Sequence, residues 1–388
     1  MKTYISTILA LLFLTPAYGQ TSIGPTGIIL LEGKPFFPFG CYGIHWENPQ
    51  AEKMNSLVEL GKAGFNIVCM EEVGGAPASD FTKVMDEAQK NNIKILIGAP
   101  YAPSMKWRAM ARKDHSATFG YNVADDGDNG KFTVGELTTI EAEIKKEDPS
   151  HITHLTLTGW SADRRSKSAE FIAISDFSSY QCYPICQTKK GDFTAANSLS
   201  ETYKRTLAYV LEAEKVKKPF IMLPQTFSWG SKSNAPCYPS VVELRNMVYT
   251  GLAAGVKGII SYDFSFDLVN NQKPLWKEYS DLGKDILGNQ SYFLEGKLTR
   301  HKTGKADLVV SSWQLADTTL FVVANTSYSI ATKNITLQLP SRYANPQLKS
   351  INQRIALITQ MSGNNLKVNL ASAEVQVFKM YNAVREHP

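Results

Sequence analysis

Eight short apolar segments recur along the first two thirds of the chain, and helical patterns lie between most of them. The apolar segments are 36–44, 65–70, 93–97, 119–124, 152–157, 177–183, 220–223 and 258–262. Apolar residues spaced near 3.6 predict helices at 51–63, 79–91, 134–146, 200–215 and 241–254. Nearly continuous apolar strands that alternate with helices indicate a parallel sheet that is buried on both faces. Eight such units favour a closed α/β (β/α)8 barrel, also called a TIM barrel, over an open sheet.

The pattern changes after about residue 296, where short strands separated by turns replace the helical spacing. Strands are predicted at 308–313, 319–324, 335–339, 354–359, 366–370 and 374–381. This pattern is typical of a small antiparallel β-sandwich. We therefore expect a barrel domain over 20–295 and a C-terminal β-sandwich domain over 296–388.

The first nineteen residues have the pattern of a secretory signal peptide. Lys2 supplies a positive charge, Ile8 to Leu14 form a short apolar core, and Ala17 and Gly19 are the small residues expected before a cleavage site. The apolar run is shorter than the ~18–20 residues that a membrane span requires. We expect cleavage after Gly19 and a secreted or periplasmic protein without a membrane span.

Charge gives no support to a nucleic-acid partner. The formal charge is +5 over 388 residues, and the sequence contains no run of five or six like charges. The sequence does not predict an oligomeric state.

Cysteine and histidine usage gives no support to a metal site, and no cofactor is expected. Five cysteines are too few for a disulfide framework in a chain of this length. Cys182 and Cys186 are able to pair with each other, or either one with Cys237, and the sequence does not choose. The six histidines are scattered, which disfavours zinc. The first strand continues into Gly43-Ile44-His45-Trp46, without the glycine-rich turn of dinucleotide-binding folds.

Polar and aromatic side chains cluster where the predicted strands end, which is where (β/α)8 barrels carry their active sites. Flat aromatic rings beside carboxylates and amides suit sugars, because a sugar ring has an apolar face and a polar rim. The residues predicted to stack on sugar rings are Trp46, Trp160 and Trp229. The residues predicted to bind sugar hydroxyls are His45, Tyr183, Gln225 and Tyr262. A carbohydrate is therefore the expected partner.

Asp125 and Asp126 are adjacent acids at the end of the fourth predicted strand. Two neighbouring carboxylates that end an apolar strand repel each other and cost stability, which favours a functional role. We therefore expect a functional role for this pair, with Asp125 as a candidate substrate-binding residue.

Several motifs, in the same order along the chain, resemble those of bacterial glycoside-hydrolase-like (β/α)8 barrels. They are Phe37-Pro38-Phe39-Gly40, Leu60 to Asn66, Asp114 to Asp126, Glu147 to His151, Tyr183-Pro184-Ile185 and Met247 to Gly258. The resemblance extends over about residues 36–265, which is nearly the whole predicted barrel. It implies a barrel of the glycoside hydrolase type that acts on O-glycosidic bonds.

In that group the fourth strand usually ends in Asp-Glu-Pro, and the Glu aligns with the general acid/base of retaining β-glycosidases. The matching residues here are Asp125, Asp126 and Gly127, so the resemblance implies Asp126 as general acid/base, on a side chain one methylene shorter. Gln225 lies near the position of the family's nucleophilic Glu, and a neutral amide cannot attack an anomeric carbon. Gln181 replaces an Asp that often precedes the Tyr-Pro pair by two residues.

Hydrolysis of a glycoside requires a second carboxylate. Glu72 and Asp263 are the candidates, and Asp263 is favoured because it follows a buried strand and emerges at the rim. The eighth strand lies across the barrel from the fourth, which favours the ~6.5–9.5 Å separation of inverting enzymes over the ~5 Å of retaining ones. The alternative is an inactive glycan-binding pseudoenzyme, which the changes at Asp126, Gly127 and Gln225 would produce.

Overall fold

Eight parallel strands close into a barrel, which confirms the predicted fold class. The computed structural model describes residues 19–45, 48–71, 78–98, 113–159, 165–186, 198–229, 237–329, 335–338, 346–351, 360–362, 365–368 and 370–382. Within these ranges the barrel strands, in chain order, are β4 (Phe39–His45), β5 (Ile67–Glu71), β6 (Lys94–Gly98), β7 (Thr118–Ala124), β8 (Ile152–Leu157), β9 (Phe177–Cys182), β10 (Phe220–Pro224) and β11 (Ile259–Ser261). Each strand pairs in parallel with its neighbours in chain order, and β11 pairs with β4 to close the ring. Strands β7 and β11 therefore lie on opposite sides of the barrel mouth.

Helices surround the barrel and begin and end at residues that suit helix termini. The described helices are α1 (Gln50–Ala63), α2 (Ala78–Lys90), α3 (Val134–Glu147), α4 (Ser168–Ile172), α5 (Ser198–Lys215), α6 (Val241–Ala254), α7 (Phe266–Asn271), α8 (Lys273–Leu287) and α9 (Gln290–Glu295). Gly64 ends α1 in a left-handed conformation, and Ser240 begins α6 with a capping box. The outward-facing strand residues pack against these helices in one large apolar cluster.

A three-stranded antiparallel sheet covers the amino-terminal end of the barrel. It consists of β1 (Thr21–Ile23), β2 (Ile29–Leu31) and β3 (Lys34–Pro35). The hydroxyl of Thr21 donates to the carbonyl of Phe119 at 2.7 Å and accepts from the backbone N–H of Ile152 at 2.9 Å. These bonds attach the sheet to the beginnings of β7 and β8, so the opposite, carboxyl-terminal mouth is the end that remains available for a ligand.

A small β domain follows the barrel and packs against it. Its described strands are β12 (Lys297–Arg300), β13 (Leu308–Leu315), β14 (Thr318–Asn325), β15 (Ile335–Gln338), β16 (Pro346–Ser350), β17 (Gln360–Ser362), β18 (Asn365–Val368) and β19 (Val375–Asn382). They form two antiparallel sheets, with strand orders β12-β13-β14-β19-β16 and β15-β18-β17. Trp313 of β13 is buried against Phe293 of α9, with ring centroids 5.1 Å apart. The hydroxyl of Ser311 donates to the carbonyl of Ala253 at 2.8 Å, which joins β13 to α6.

Candidate active site

The carboxyl end of β7 carries two adjacent carboxylates that bond to the same amide. Asp125 and Asp126 follow the last residue of the strand, and Asp126 has a left-handed φ of 53°. Gln181 of β9 donates from Nε2 to Oδ1 of Asp126 at 2.5 Å and to Oδ1 of Asp125 at 3.4 Å. An amide nitrogen has two hydrogens, so one side chain is able to bond both carboxylates. The structure therefore brings Asp125, Asp126 and Gln181 together from two strands.

Burial raises the pKa of both carboxyl groups in this pair. The pKa of Asp125 rises to about 7, mainly because the group is desolvated and also because the negative Asp126 lies beside it. Burial also raises the pKa of Asp126, while the hydrogen bond from Gln181 acts in the opposite direction. The pair consequently retains a proton close to neutral pH, which is the property that a general acid requires.

Asp128, in the same turn, has a structural role. Its Oδ1 accepts from the backbone N–H and the hydroxyl of Thr158, at 2.7 and 2.8 Å, and its Oδ2 accepts from the N–H of Gly159 at 2.9 Å. These three bonds join the turn after β7 to the end of β8. Asp128 thus fixes the position of the turn that presents the acid pair.

The barrel interior is polar along β7, β8 and β9. Nε2 of His154 lies 2.9 Å from the hydroxyl of Ser179, and Nδ1 lies 3.1 Å from the amide of Asn122. That amide also lies 2.7 Å from the hydroxyl of Tyr42. Burial lowers the pKa of His154 to about 3, so the ring is neutral at physiological pH. His154 therefore joins barrel strands by hydrogen bonds and is not suited to carry a proton.

Asp263 lies just after β11, across the barrel mouth from the acid pair. Burial raises its pKa to about 6. Gly43 of β4 makes room for this residue, because a Cβ at position 43 would lie 2.8 Å from the Cβ of Asp263, and the φ of Gly43 is +106°. In the described part of the chain, no hydrogen bond joins Asp263 to Asp125 or Asp126. The structure thus holds two separate acidic positions with raised pKa values.

Four aromatic residues at the ends of β9, β10 and β11 pack together, and we call them the aromatic wall: Tyr183, Phe227, Trp229 and Tyr262. Tyr183 contacts the other three, with ring centroids 5.0 Å from Phe227, 6.3 Å from Trp229 and 5.5 Å from Tyr262. Gln181 and Tyr183 are two residues apart along one strand direction and therefore project to the same side. Tyr183 of the aromatic wall and Gln181, which binds the acid pair, therefore face the same side.

Gln225 does not fit the predicted contact with a sugar hydroxyl. Its side chain is wholly buried, Oε1 accepts from the N–H of Ile185 at 2.9 Å, and Nε2 donates to the carbonyls of Ile185 and Phe227 at 3.2 and 3.1 Å. Both amide hydrogens are thus used by the backbone. Gln225 therefore holds the turn after β9 by these backbone bonds and does not have the predicted role of binding a sugar hydroxyl.

A disulfide joins Cys186, after β9, to Cys237, after β10, with Cα atoms 6.2 Å apart. This is one of the pairings that the sequence left open. Cys41, Cys69 and Cys182 are buried and form no disulfide in the described part of the chain. The disulfide lies on the side of the mouth that carries the aromatic wall.

Several predicted site residues lie outside the described residues, namely Trp46, Glu72 and Trp160. His45 is the last residue of β4, and its side chain is not among those described. Their predicted roles remain predictions. Within the described ranges, no group of three or more His, Cys, Asp or Glu side chains is arranged to hold a metal ion. None of the described helices is long and apolar enough to cross a membrane.

Sequence reasoning missed two members of the site. Gln181 stood out only as a replacement for an acid, although its position two residues before Tyr183 already placed it on the inner side of its strand. Phe227 is not among the predicted site residues. It lies two residues from both Gln225 and Trp229, and this spacing indicates that its side chain projects to the same side as theirs. Gln181 contacts the predicted residue Asp126, and Phe227 contacts the predicted residue Tyr183. Both therefore enlarge the predicted site at the same place in the fold.

The closed barrel, with an acid pair at the end of its fourth strand and an aromatic wall beside it, has the fold of glycoside-hydrolase-like (β/α)8 barrels. Among solved structures, a glycoside hydrolase family 5 protein from Bacteroides vulgatus is similar, with a TM-score of 0.63 and 14% sequence identity over 95% of this chain and 94% of that one. An Anoxybacillus alpha-amylase has a TM-score of 0.55 at 10% identity, over 90% of this chain and 98% of that one. A maltogenic alpha-amylase from Thermotoga neapolitana has a TM-score of 0.56 at 10% identity, over 89% and 99%.

Comparisons by sequence give no match. No protein-family model matches the chain, and no curated protein is similar to it in sequence. At identities of 10 to 14%, the similarity to the solved structures establishes the fold. The activity has to be argued from the residues of this chain.

Proposed function

We propose that this protein is a glycoside hydrolase that cleaves O-glycosidic bonds in an oligo- or polysaccharide. The observation that carries the proposal is the half-buried Asp125–Asp126 pair, bonded to Gln181, which projects to the same side of its strand as Tyr183 of the aromatic wall. The pair supplies a proton near neutral pH, and the wall supplies flat apolar faces on which sugar rings stack. An acid and a platform for sugar rings, two of the features that a glycosidase needs beside a second carboxylate, are therefore proposed at one mouth of the barrel.

Asp126 is the proposed general acid, which protonates the leaving glycosidic oxygen. Asp125 binds substrate beside it and shares the proton, which is consistent with its pKa of about 7. Asp263 is the proposed second carboxylate, with Glu72 as the other candidate. Because β7 and β11 lie on opposite sides of the mouth, the longer carboxylate separation of inverting enzymes (about 6.5–9.5 Å) is the favoured geometry.

We also propose that the protein is exported, with the signal peptide at 1–19 removed. The Cys186–Cys237 disulfide supports this assignment, because structural disulfides persist in oxidising compartments. The proposed domains are 20–295 for the barrel and 296–388 for the β domain.

A second function is favoured by the two amides at expected acidic positions. Gln181 donates hydrogen bonds to the acid pair, and Gln225 is buried and bonded to backbone. Neither amide is able to act as a nucleophile. A barrel that binds a glycan without cleaving it, a pseudoenzyme, would retain the aromatic wall and need no second carboxylate.

Hydrolysis of a glycan panel by the full-length protein tests the proposal. The measurement is release of reducing ends from α- and β-linked polysaccharides, by the parent protein, by Asp126→Asn and by Asp317→Asn. Asp317→Asn is the matched control, because it makes the same change at an exposed turn of the β domain. The proposal predicts activity in the parent and the control and a loss of at least a hundredfold in Asp126→Asn. Equal activity in all three proteins would exclude Asp126 as the acid, and retention of a glycan without cleavage by the parent would establish the second function.

A further inference from the structure

The turns that follow β9, β10 and β11 are joined to one another at the side of the mouth that carries the aromatic wall. The disulfide links Cys186 of the first turn to Cys237 of the second. Tyr238, the next residue, donates from its hydroxyl to Asp267 of α7 at 2.5 Å, which reaches the third turn. We propose that the Cys186–Cys237 disulfide is the positioning device for Trp229 and so for the sugar-stacking face of the aromatic wall. The part of this inference that concerns sugar stacking rests on the proposed function.

The Cys186 end of the disulfide is attached to a fixed part of the barrel. Gln225 bonds both the N–H and the carbonyl of Ile185, which immediately precedes Cys186. Gln225 is itself buried at the end of β10 and pairs with Tyr262 in a parallel bridge. Cys186 is therefore an anchor whose position is set by barrel strands.

The Cys237 end of the disulfide holds the segment that carries Trp229. Cys237 forms an antiparallel bridge with Trp229, and its N–H donates to the hydroxyl of Ser228 at 2.5 Å. Nε1 of Trp229 donates to the carbonyl of Tyr183 at 3.1 Å, back on the β9 side. Trp229 is thus held at its backbone through Cys237 and at its ring through Tyr183.

The disulfide is the covalent link in this arrangement. Without it, the described contacts that tie the Cys237 segment to the β9 turn are the hydrogen bond from Nε1 of Trp229 to the carbonyl of Tyr183 and the packing of the Trp229 ring on Tyr183. A hydrogen bond of this kind contributes only about 1 kcal/mol. The ring of Trp229 is half-buried, so a looser Cys237 would expose it further. Loss of the disulfide therefore changes the placement of the aromatic wall. It leaves the acid pair in position, because Gln181 bonds the pair and Asp128 fixes the turn that carries it.

The test measures the accessibility of Trp229 with acrylamide as quencher and needs no sugar. The experiment uses the full-length parent and the Cys186→Ser/Cys237→Ser double variant. The fluorescence of each protein is compared with that of the same protein carrying Trp229→Phe, and the difference between the two is the emission of Trp229. The quenching constant of this component should rise at least twofold when the disulfide is absent. Treating the folded parent with a phosphine reductant should give the same rise without a substitution, and the double Ser variant should not respond to the reductant. Cys182→Ser, at a free buried cysteine, is the matched control and should behave as the parent.

Thiol counting makes the outcome decisive. The denatured parent should show three thiols before reduction and five after it. The proposal is overturned if five thiols are present before reduction, or if quenching of Trp229 is the same with and without the disulfide. In the glycan panel, the double Ser variant should show KM raised at least threefold with kcat unchanged. A panel without any activity contradicts the proposed function alone, since the quenching comparison does not depend on it.

Discussion

Replacing Asp125 by Asn should stabilise the protein at neutral pH and reduce the pH dependence of its stability. In the folded protein the pKa of Asp125 is raised from 3.8 to about 7, mainly by burial. Between these two pH values the folded state keeps a proton that the unfolded state releases. The free energy of unfolding therefore falls as the pH rises through this window, and it levels off above about pH 7.

The expected size of the effect follows from the width of that window. A rise from 3.8 to about 7 is about three pH units, and each unit corresponds to about 1.4 kcal/mol. The carboxylate of Asp125 thus costs up to about 4 kcal/mol above pH 7 and nothing below pH 4. Asn has the same shape and no charge, so Asp125→Asn should recover most of this free energy at pH 8 and little of it at pH 4.

Urea unfolding at about pH 4.5 and about pH 8 is the assay, with parent, Asp125→Asn and the exposed control Asp317→Asn. The free energy of unfolding of the parent and of the control should be lower at about pH 8 than at about pH 4.5. The decrease should be clearly smaller in Asp125→Asn. The reasoning is refuted if Asp125→Asn loses as much as the parent, or if it is less stable than the parent at pH 8.

Three further results are expected. Gly43→Ala should lower the free energy of unfolding by at least about 2 kcal/mol, because the added Cβ enters a left-handed φ and meets Asp263, and a loss under 0.5 kcal/mol in urea unfolding would contradict this. Asp128→Ala should cost about 3 kcal/mol, since three donors at the end of β8 lose their acceptor; a melting temperature equal to that of the parent would count against this assignment. If the protein hydrolyses a glycan, the initial rate should fall as the pH rises above about 7, where the pair of Asp125 and Asp126 loses its proton, and a rate still rising at about pH 9 would speak against this acid.

The barrel was predictable because its strands are buried on both faces and most of their residues are apolar. All eight predicted segments overlap barrel strands, and the predicted helix at 241–254 has the same bounds as α6. In the β domain, β12 and β16 are exposed on alternate residues and have weak apolar patterns, so neither was predicted. The predicted strand at 354–359 lies outside the described residues.

The site was predictable in position and less so in detail. Asp125 and Asp126 were found because chain neighbours at a strand end share the mouth of the barrel. The role of Gln225 depends on Ile185, forty residues earlier, and periodicity carries no information about such a contact. The interior position of His154 was hidden inside an apolar segment, and its hydrogen bonds depend on how neighbouring strands align. Pairing of Cys186 with Cys237 likewise required the two turns to be placed in space.

The most direct test of the central claim, that carbohydrate binds between the acid pair and the aromatic wall, is the affinity of one panel glycan for Trp229→Ala. The measurement uses isothermal titration calorimetry in the Asp126→Asn background, which prevents turnover. Tyr381→Ala, at an exposed aromatic residue of β19, is the control. Loss of a stacking ring is worth about 1.4 kcal/mol, so Kd should rise about tenfold in Trp229→Ala and stay unchanged in the control. Equal affinity in the two variants would contradict the account and place the sugar elsewhere on the molecule.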